Sequence, residues 1–232
     1  MSSSTRLLAI LLAGAPLWPG GALPAQTSAP APAPAVTDSG TFIVRRGVDT
    51  VATEEFARTA TTLRGTVMLR DAKNTAEAYE AVVAPDASVA LVQVTVREDL
   101  DGGRAKGKVV QRARVIFKED SAAVDDLRGT GMETRVFGTE RGAVPYLNLS
   151  FAMLEQAIRR SRAVSPPAAR VPFFNLGGGQ TLTATVSALG ADSIAVAIGS
   201  VEFHLRVDPA GRVLGGTIPA QQVVAQRVGA GS

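Results

Sequence analysis

The chain contains no cysteine, and this absence excludes several kinds of chemistry. None of its 232 residues can form a disulfide, a thiolate metal site or a cysteine nucleophile. A bacterial lipoprotein is anchored through a cysteine at its cleavage site, so that lipid anchor is excluded too. Stability must therefore come from a packed core. A single domain of about 190 residues buries roughly 70% of the surface that its unfolded chain exposes, which is enough to form one.

Histidine, aromatic residues and clustered positive charge are also scarce. His204 is the single histidine, and 5% of the residues are aromatic. A metal pair would need a second histidine, and no GxSxG nucleophile motif is present. The net charge is +3, without the basic stripe or stacking aromatics of nucleic-acid-binding proteins. We therefore expect no enzymatic activity, no metal site, no cofactor and no nucleic-acid partner.

Long apolar runs are missing as well, since no segment approaches the roughly 18 residues that cross a bilayer. The run at residues 7–13 follows Arg6, is soon broken by Pro16, and leads to Ala25. This order is typical of a secretory signal peptide. We predict a signal peptide at residues 1–25 with cleavage near Ala25. The mature chain would then be periplasmic or secreted, without a transmembrane segment.

The composition divides the rest of the chain into three parts. Residues 26–38 are rich in alanine and proline, which alternate from Ala29 to Ala35, and this favours an extended, semi-rigid linker. Residues 39–228 read as a single β-rich domain. Residues 229–232 are expected to be a disordered tail.

Alternation of apolar and polar residues predicts strands for about a hundred residues from Thr41 onward. In the second of these strands, one face carries two charged residues beside apolar ones: Ala52, Glu54, Phe56 and Arg58. Residues 77–84 are interpreted as a strand rather than a helix, because Pro85-Asp86 turns the chain directly into the next strand. Residues 88–96 are almost continuously apolar, which predicts a strand covered on both faces.

A β-hairpin is predicted at residues 201–218. Apolar residues alternate with charged ones along its first strand, and Asp208-Pro209-Ala210-Gly211 has the composition of a type I turn. His204 lies on the polar face of this strand. The sequence leaves open whether that face meets solvent or a cavity.

One amphipathic helix is predicted at residues 148–162, with Asn148 as its N-cap and Pro166-Pro167 after its end. Four apolar side chains recur at spacings of about one turn and form a single stripe: Leu147, Phe151, Leu154 and Ile158. A stripe of this kind must pack on a sheet.

Three short motifs resemble functional sites but lack the parts that the chemistry needs. Asp38-Ser39-Gly40 matches the aspartic-protease triplet, yet no second triplet exists. Glu98, Asp99 and Asp101 supply too few alternating oxygen ligands for a calcium loop. Gly177-Gly178-Gly179 precedes a strand rather than the helix N-terminus that binds phosphate, so it is interpreted as a turn.

Some of the turn and strand motifs resemble those of a group of exported bacterial β-domains. The similar features are an early turn at Gly47, the Thr53-Glu54-Glu55-Phe56 strand and a late hairpin at residues 207–214. Such uncharacterised domains are similar in outline to the lipoprotein-carrier half-barrels, in which a curved antiparallel sheet wraps around helices. The resemblance implies this outline for residues 41–228 and assigns no functional residue, whereas the lipid-binding hypothesis rests on a surplus of apolar strands with only one helix to cover them.

The predicted fold is mainly β: a curved antiparallel sheet or incomplete barrel of about nine to twelve strands, with one amphipathic helix on its concave face. A two-sheet sandwich is the alternative, and parallel pairing is not expected. The predicted function is a non-enzymatic periplasmic or secreted domain that binds an apolar or amphipathic ligand, a lipid or acyl chain, in a half-barrel cavity. The candidate cavity residues are Phe151, Leu154, Ile158 and His204. The alternative is a structural or protein-interaction domain of the cell envelope without a small ligand.

Overall fold

A computed structural model describes residues 35–98, 107–129, 131–164 and 170–229. Several predictions fall outside these residues: the signal peptide with its cleavage site, most of the linker, Asp99 and Asp101, the Pro166-Pro167 pair and all but the first residue of the tail.

The described residues form fifteen strands, one α-helix and one short 3-10 helix. The first eight strands are β1 (Asp38–Arg46), β2 (Asp49–Arg58), β3 (Thr62–Leu69), β4 (Thr75–Val83), β5 (Val89–Glu98), β6 (Lys108–Phe117), β7 (Ser121–Arg128) and β8 (Gly131–Gly138). They are followed by β9 (Val144–Tyr146), the helix α1 (Phe151–Ala163), β10 (Arg170–Asn175), β11 (Gln180–Ala188), β12 (Ser193–Ile198), β13 (Val201–Val207), β14 (Val213–Ile218), the 3-10 turn Pro219–Gln221 and β15 (Val223–Val228).

All fifteen strands belong to one open, curved sheet with α1 packed on it, which confirms the predicted fold class. The order is β8 to β1 in reverse sequence, then β15 down to β9, so β1 pairs with β15 and the edges are β8 and β9. The sandwich alternative is wrong, because one hydrogen-bonded ladder connects every described strand. The sheet has fifteen strands instead of the predicted nine to twelve, since the segments after β6, which form β7, β8 and β9, also pair with their neighbours.

One parallel pair departs from the expected antiparallel pattern. β10 runs parallel to β9, with Phe173 opposite Val144 and Asn175 opposite Tyr146. α1 lies between these two strands in the sequence. A helix that carries the chain back to its starting side makes the next strand parallel to the last, and the alternation of residues does not reveal this crossover.

The helix begins later than predicted. Ser150, not Asn148, is the N-cap, and its side chain accepts a hydrogen bond from the Met153 amide at 3.2 Å. Leu149 adopts a left-handed conformation with φ of 58°, so the chain turns after Asn148 instead of entering the helix there. The apolar stripe is buried as expected, but Glu155 and Gln156 on other faces are also fully buried. The helix is therefore enclosed on almost every side.

Two of the strand predictions have different outcomes. Residues 77–84 do form a strand, β4, whereas β5 is covered on only one face, because Ala90 and Gln93 are exposed. The predicted hairpin is confirmed as β13 and β14. Its turn closes with a hydrogen bond of 2.9 Å from the Gly211 amide to the Asp208 carbonyl. Turn chemistry is local, and for that reason it can be read from sequence.

The two ends of the sheet approach each other through side chains. Phe174 on β10 packs against Phe117 and Phe137, with ring centroids 5.6 and 6.0 Å away. The hydroxyl oxygens of Thr139 and Thr181 lie 2.7 Å apart. No backbone ladder joins β8 to another strand on its outer side within the described residues. The sheet thus curls around its core but leaves the backbone edge of β8 unpaired.

Candidate functional site

The inner face of the sheet changes from apolar to polar toward one end of β4–β7. Tyr79, Val92, Val115 and Val124 are buried in the core, whereas the same face continues into Glu77, Gln111, Asp126 and Arg128. We call this end the mouth of the sheet. Polar side chains on an inner face point to contact with water or a ligand rather than with the core.

The position of α1 explains why the mouth is uncovered. The helix N-terminus is attached to β2 and β4 near Tyr79, since Ser150 donates a hydrogen bond to Glu54 at 2.5 Å and Tyr79 donates another at 2.7 Å. Toward its other end, Gln156 donates to the carbonyl of Ala87 at 2.7 Å, beyond the far end of β4. The helix therefore runs away from the mouth.

Glu54 holds the helix N-terminus through its second oxygen as well. That oxygen accepts hydrogen bonds from the backbone amides of Phe151 at 2.7 Å and Ala152 at 3.0 Å. A carboxylate favours this position because the first amides of a helix lack partners and carry partial positive charge. Burial raises the pKa of the Glu54 carboxyl, and its hydrogen bonds offset part of the rise.

A second buried charged group holds the opposite side of the helix. Glu155 accepts hydrogen bonds from the Val213 amide at 2.9 Å and from Arg159 at 3.0 Å, and it lies 3.5 Å from Arg58. Arg227 lies 3.7 Å from the same carboxylate. These contacts join α1 to both halves of the sheet, and they are structural because the Glu155 carboxylate at their centre is fully buried.

A pocket of about 200 Å³ occupies the mouth, and we call it the mouth pocket. Its apolar wall comes from β5, from β6 and from the turns around it, and includes Val94, Val96, Ala113, Leu147 and Leu176. Its polar atoms come from Glu77, Gln111, Asn148 and Asn175. The pocket therefore has one apolar side and one side able to form hydrogen bonds, which is the usual composition of a small-molecule site.

Glu77 is the distinctive polar group of the mouth pocket. Its side chain faces inward beside that of Val96, and its carboxyl makes no hydrogen bond or ion pair with any residue that the structure describes. Burial raises the pKa of the Glu77 carboxyl, and the negative charge of Asp71 adds to the rise. Glu77 thus presents a half-buried carboxyl to the mouth pocket.

A charged groove of about 520 Å³ continues from the mouth pocket on the other side of Gly177. Asp126 accepts hydrogen bonds from Gln111 and Arg128, both at 2.9 Å. Glu133 and Arg135 of β8 complete the lining as an ion pair with 3.4 Å between charged atoms. The groove is open and charged, so it suits a polar headgroup better than an acyl chain.

The structure places the predicted cavity residues elsewhere. Phe151, Leu154 and Ile158 are at most 2% exposed and belong to the core around α1, and none of them lines the mouth pocket. His204 lies on the outer face, with 42% of its side chain exposed, and its ring nitrogen is 2.6 Å from Glu202. The polar face of the strand that carries His204 therefore meets solvent, at a groove that Gly216 also lines.

The other motifs have structural roles. Asp38 of the protease-like triplet pairs with Arg227 at 2.6 Å, and Glu98 pairs with Lys73 at 3.0 Å. Gly177 to Gly179 form a turn, as predicted. Among the described residues, no group of three acidic or histidine side chains could hold a metal ion. No described helix is long and apolar enough to cross a membrane.

Sequence reasoning missed the residues that line the mouth pocket. Glu77 and Gln111 look like ordinary polar positions of alternating strands. The signal that could have found them is their spacing of two residues from an apolar residue that faces inward. Glu77 is two residues from Tyr79 and so shares its inward face, and Gln111 is two residues from the inward Ala113. Asn148 was interpreted as a helix cap.

Comparison with known proteins supports the fold alone. No protein-family model matches the chain, and no curated protein is significantly similar to it. A protein of the DUF1089 family from Pseudomonas aeruginosa has a similar structure, with a TM-score of 0.51 and 14% identity, over 73% of this chain and 90% of that one. A beta-barrel-like protein of the domain of unknown function DUF1849 from Brucella abortus has a TM-score of 0.50 and 9% identity, over 83% of this chain and 95% of that one. Both support a β-domain of this fold.

Proposed function

We propose that the chain is a non-enzymatic, exported binding domain, periplasmic or secreted, that receives an amphipathic ligand such as a lipid or acyl chain at the mouth of its curved sheet. The observation that carries the proposal is the mouth pocket, where an apolar wall faces the Glu77 carboxyl, which has no partner among the described residues. The predicted signal peptide and the resemblance to lipoprotein-carrier half-barrels favour the same role. The proposed ligand site is therefore the mouth pocket and not the apolar stripe of α1 that the sequence suggested.

The size of the mouth pocket limits what can enter it. At about 30 Å³ for each water-sized group, 200 Å³ accommodates about six or seven such groups. This is below the roughly 300–1,000 Å³ of typical small-molecule sites. The pocket therefore takes the end of an acyl chain, and the rest of the ligand lies in the charged groove beyond Gly177.

The polar side of the pocket selects the chemistry of the ligand. Burial raises the pKa of the Glu77 carboxyl, which favours its protonated form, and that form donates a hydrogen bond to an ester or amide carbonyl. An anionic headgroup placed beside Glu77 would be repelled whenever that carboxyl is ionised. A zwitterionic ester lipid fits better than a free fatty acid.

Binding of dihexanoylphosphatidylcholine, measured by native mass spectrometry and titration calorimetry, tests the proposal. Ala113 lines the pocket, so Ala113→Leu fills part of it and is expected to weaken binding about tenfold. Ala90→Leu adds the same atoms on the exposed face of β5 and should leave binding unchanged. Absence of binding by the unaltered chain, or equal binding by the Ala113→Leu variant, would overturn the proposal and favour an interaction domain without a small ligand.

A further inference from the structure

The edge strand β8 exposes its backbone and side chains to an unusual extent. Residues 131–136 are all exposed, and the apolar side chains of Met132 and Val136 are 73% and 71% exposed. Natural proteins normally shorten, twist or cover such an edge, because its unpaired amides and carbonyls are a template for another strand. An eight-residue edge without a proline or a bulge is open to pairing with a further strand.

The hydrogen-bonding direction of each β8 residue follows from its ladder with β7. The Thr139 amide donates to the Asp120 carbonyl at 2.9 Å, one step beyond the end of that ladder. Because hydrogen-bonded pairs alternate with non-bonded pairs along an antiparallel ladder, the odd-numbered residues of β8 bond to β7. The amides and carbonyls of Met132, Thr134 and Val136 consequently point to the free edge.

We propose that β8 pairs antiparallel with β8 of a second copy of this chain, about a two-fold axis at Thr134. In this register Thr134 lies opposite Thr134, and Met132 lies opposite Val136. Every outward-pointing residue of one copy then meets an outward-pointing residue of the other. The pairing covers the two exposed apolar side chains, and this inference is independent of the proposed ligand.

Charge complementarity selects this register from its neighbours. It places Glu133 of each copy opposite Arg135 of the other. A shift by two residues, the smallest that preserves the outward-pointing pairs, places Glu133 opposite Glu133 in one direction and Arg135 opposite Arg135 in the other. Like charges directly opposite each other destabilise a strand pair, whereas opposite charges stabilise it.

The structure also fixes where the pairing must end. The Thr181 hydroxyl lies 3.4 Å from the Gly138 carbonyl oxygen, and it donates to that atom at the free edge. That contact confirms that even-numbered residues point away from β7. It also leaves residues 131–137 as the segment available to a second strand.

Single cysteines provide a register-specific test, since the chain has none of its own. In a hydrogen-bonded antiparallel pair the Cα atoms are about 5.5 Å apart, which lies within the range that a disulfide spans. Thr134→Cys should therefore form a disulfide-linked dimer on mild oxidation. Met132→Cys and Val136→Cys should each form no disulfide-linked dimer, because each cysteine lies about 13 Å along the strand from its own copy. An equimolar mixture of the two should cross-link.

A charge-swap experiment tests the same register without cysteine. Glu133→Arg and Arg135→Glu each create like-charge pairs, and each should weaken dimerisation about tenfold in sedimentation equilibrium. The double variant E133R/R135E restores opposite charges and should recover the dimer. A double variant as weak as the single ones, a Thr134→Cys variant that stays monomeric, or one that cross-links only to a different protein would overturn the proposal.

Discussion

Replacing Glu54 tests how strongly the buried carboxylate holds α1 in the sheet. Glu54→Ala leaves two backbone amides and two hydroxyls without their acceptor. A buried unpaired group costs about 1–3 kcal/mol, and rotation allows the hydroxyls to find other partners, so the two amides dominate. We expect the free energy of unfolding to fall by about 4 kcal/mol. Glu54→Gln keeps the shape of the side chain. Its amide oxygen can accept hydrogen bonds from both backbone amides and its NH2 group can donate to both hydroxyls, so the free energy of unfolding should fall by only about 1 kcal/mol.

The same pair of variants predicts a dependence on pH. Because the native pKa of Glu54 is raised above its ordinary 4.5, the folded protein holds this proton more tightly than the unfolded chain does. The stabilisation by this group is fully present below about pH 4.5 and is lost as the pH rises through the native pKa. The amide that Glu54→Gln introduces does not titrate. The difference in unfolding free energy between the unaltered chain and Glu54→Gln should therefore decrease from about pH 4.5 upward.

Urea unfolding followed by far-UV circular dichroism measures both effects. Fluorescence is unsuitable because the single tryptophan, Trp18, lies in the predicted signal peptide. Glu80→Ala, on the exposed face of β4, is the matched control and should change stability by less than about 0.5 kcal/mol. A Glu54→Ala cost below about 1 kcal/mol would refute the role assigned to this carboxylate. A difference that grows with pH would refute the raised pKa.

Two further substitutions separate buried from exposed charge. Arg227→Met should lower the unfolding free energy by about 3–5 kcal/mol in urea, because it leaves Asp38 buried without its partner, and D38N/R227M should recover part of the loss. A full loss in the double variant would contradict this explanation. His204→Ala should change stability by less than about 0.5 kcal/mol and leave phosphatidylcholine binding unaltered, because His204 pairs with Glu202 on the outer face. A catalytic or ligand-binding role of His204 would appear as lost binding or activity without unfolding.

Features set by neighbouring residues could be predicted from the sequence. The β13–β14 hairpin follows from alternation and from the composition of its turn, and the apolar stripe of α1 follows from helical spacing. The burial of two charged residues is also indicated by the local sequence. Alternation places Glu54 and Arg58 on the same face as Ala52 and Phe56, and all four are buried. What alternation does not supply is the partner of each charge, since Glu54 and Ser150 are 96 residues apart.

The location of the candidate site depends on such a long-range contact, the one between Glu54 and the N-terminus of α1. An α-helix of 13 residues is about 20 Å long, whereas a strand of 10 residues such as β5 spans about 33 Å, so α1 cannot cover the inner face from end to end. Which end remains open is decided by where the helix starts. Glu54 fixes that start beside Tyr79, and the uncovered end is therefore the one that contains Glu77. If the helix began two residues earlier, about half a turn, as an Asn148 cap implies, its first turn would include residues that now line the mouth pocket. Release of the Glu54 contact should consequently change ligand binding as well as stability.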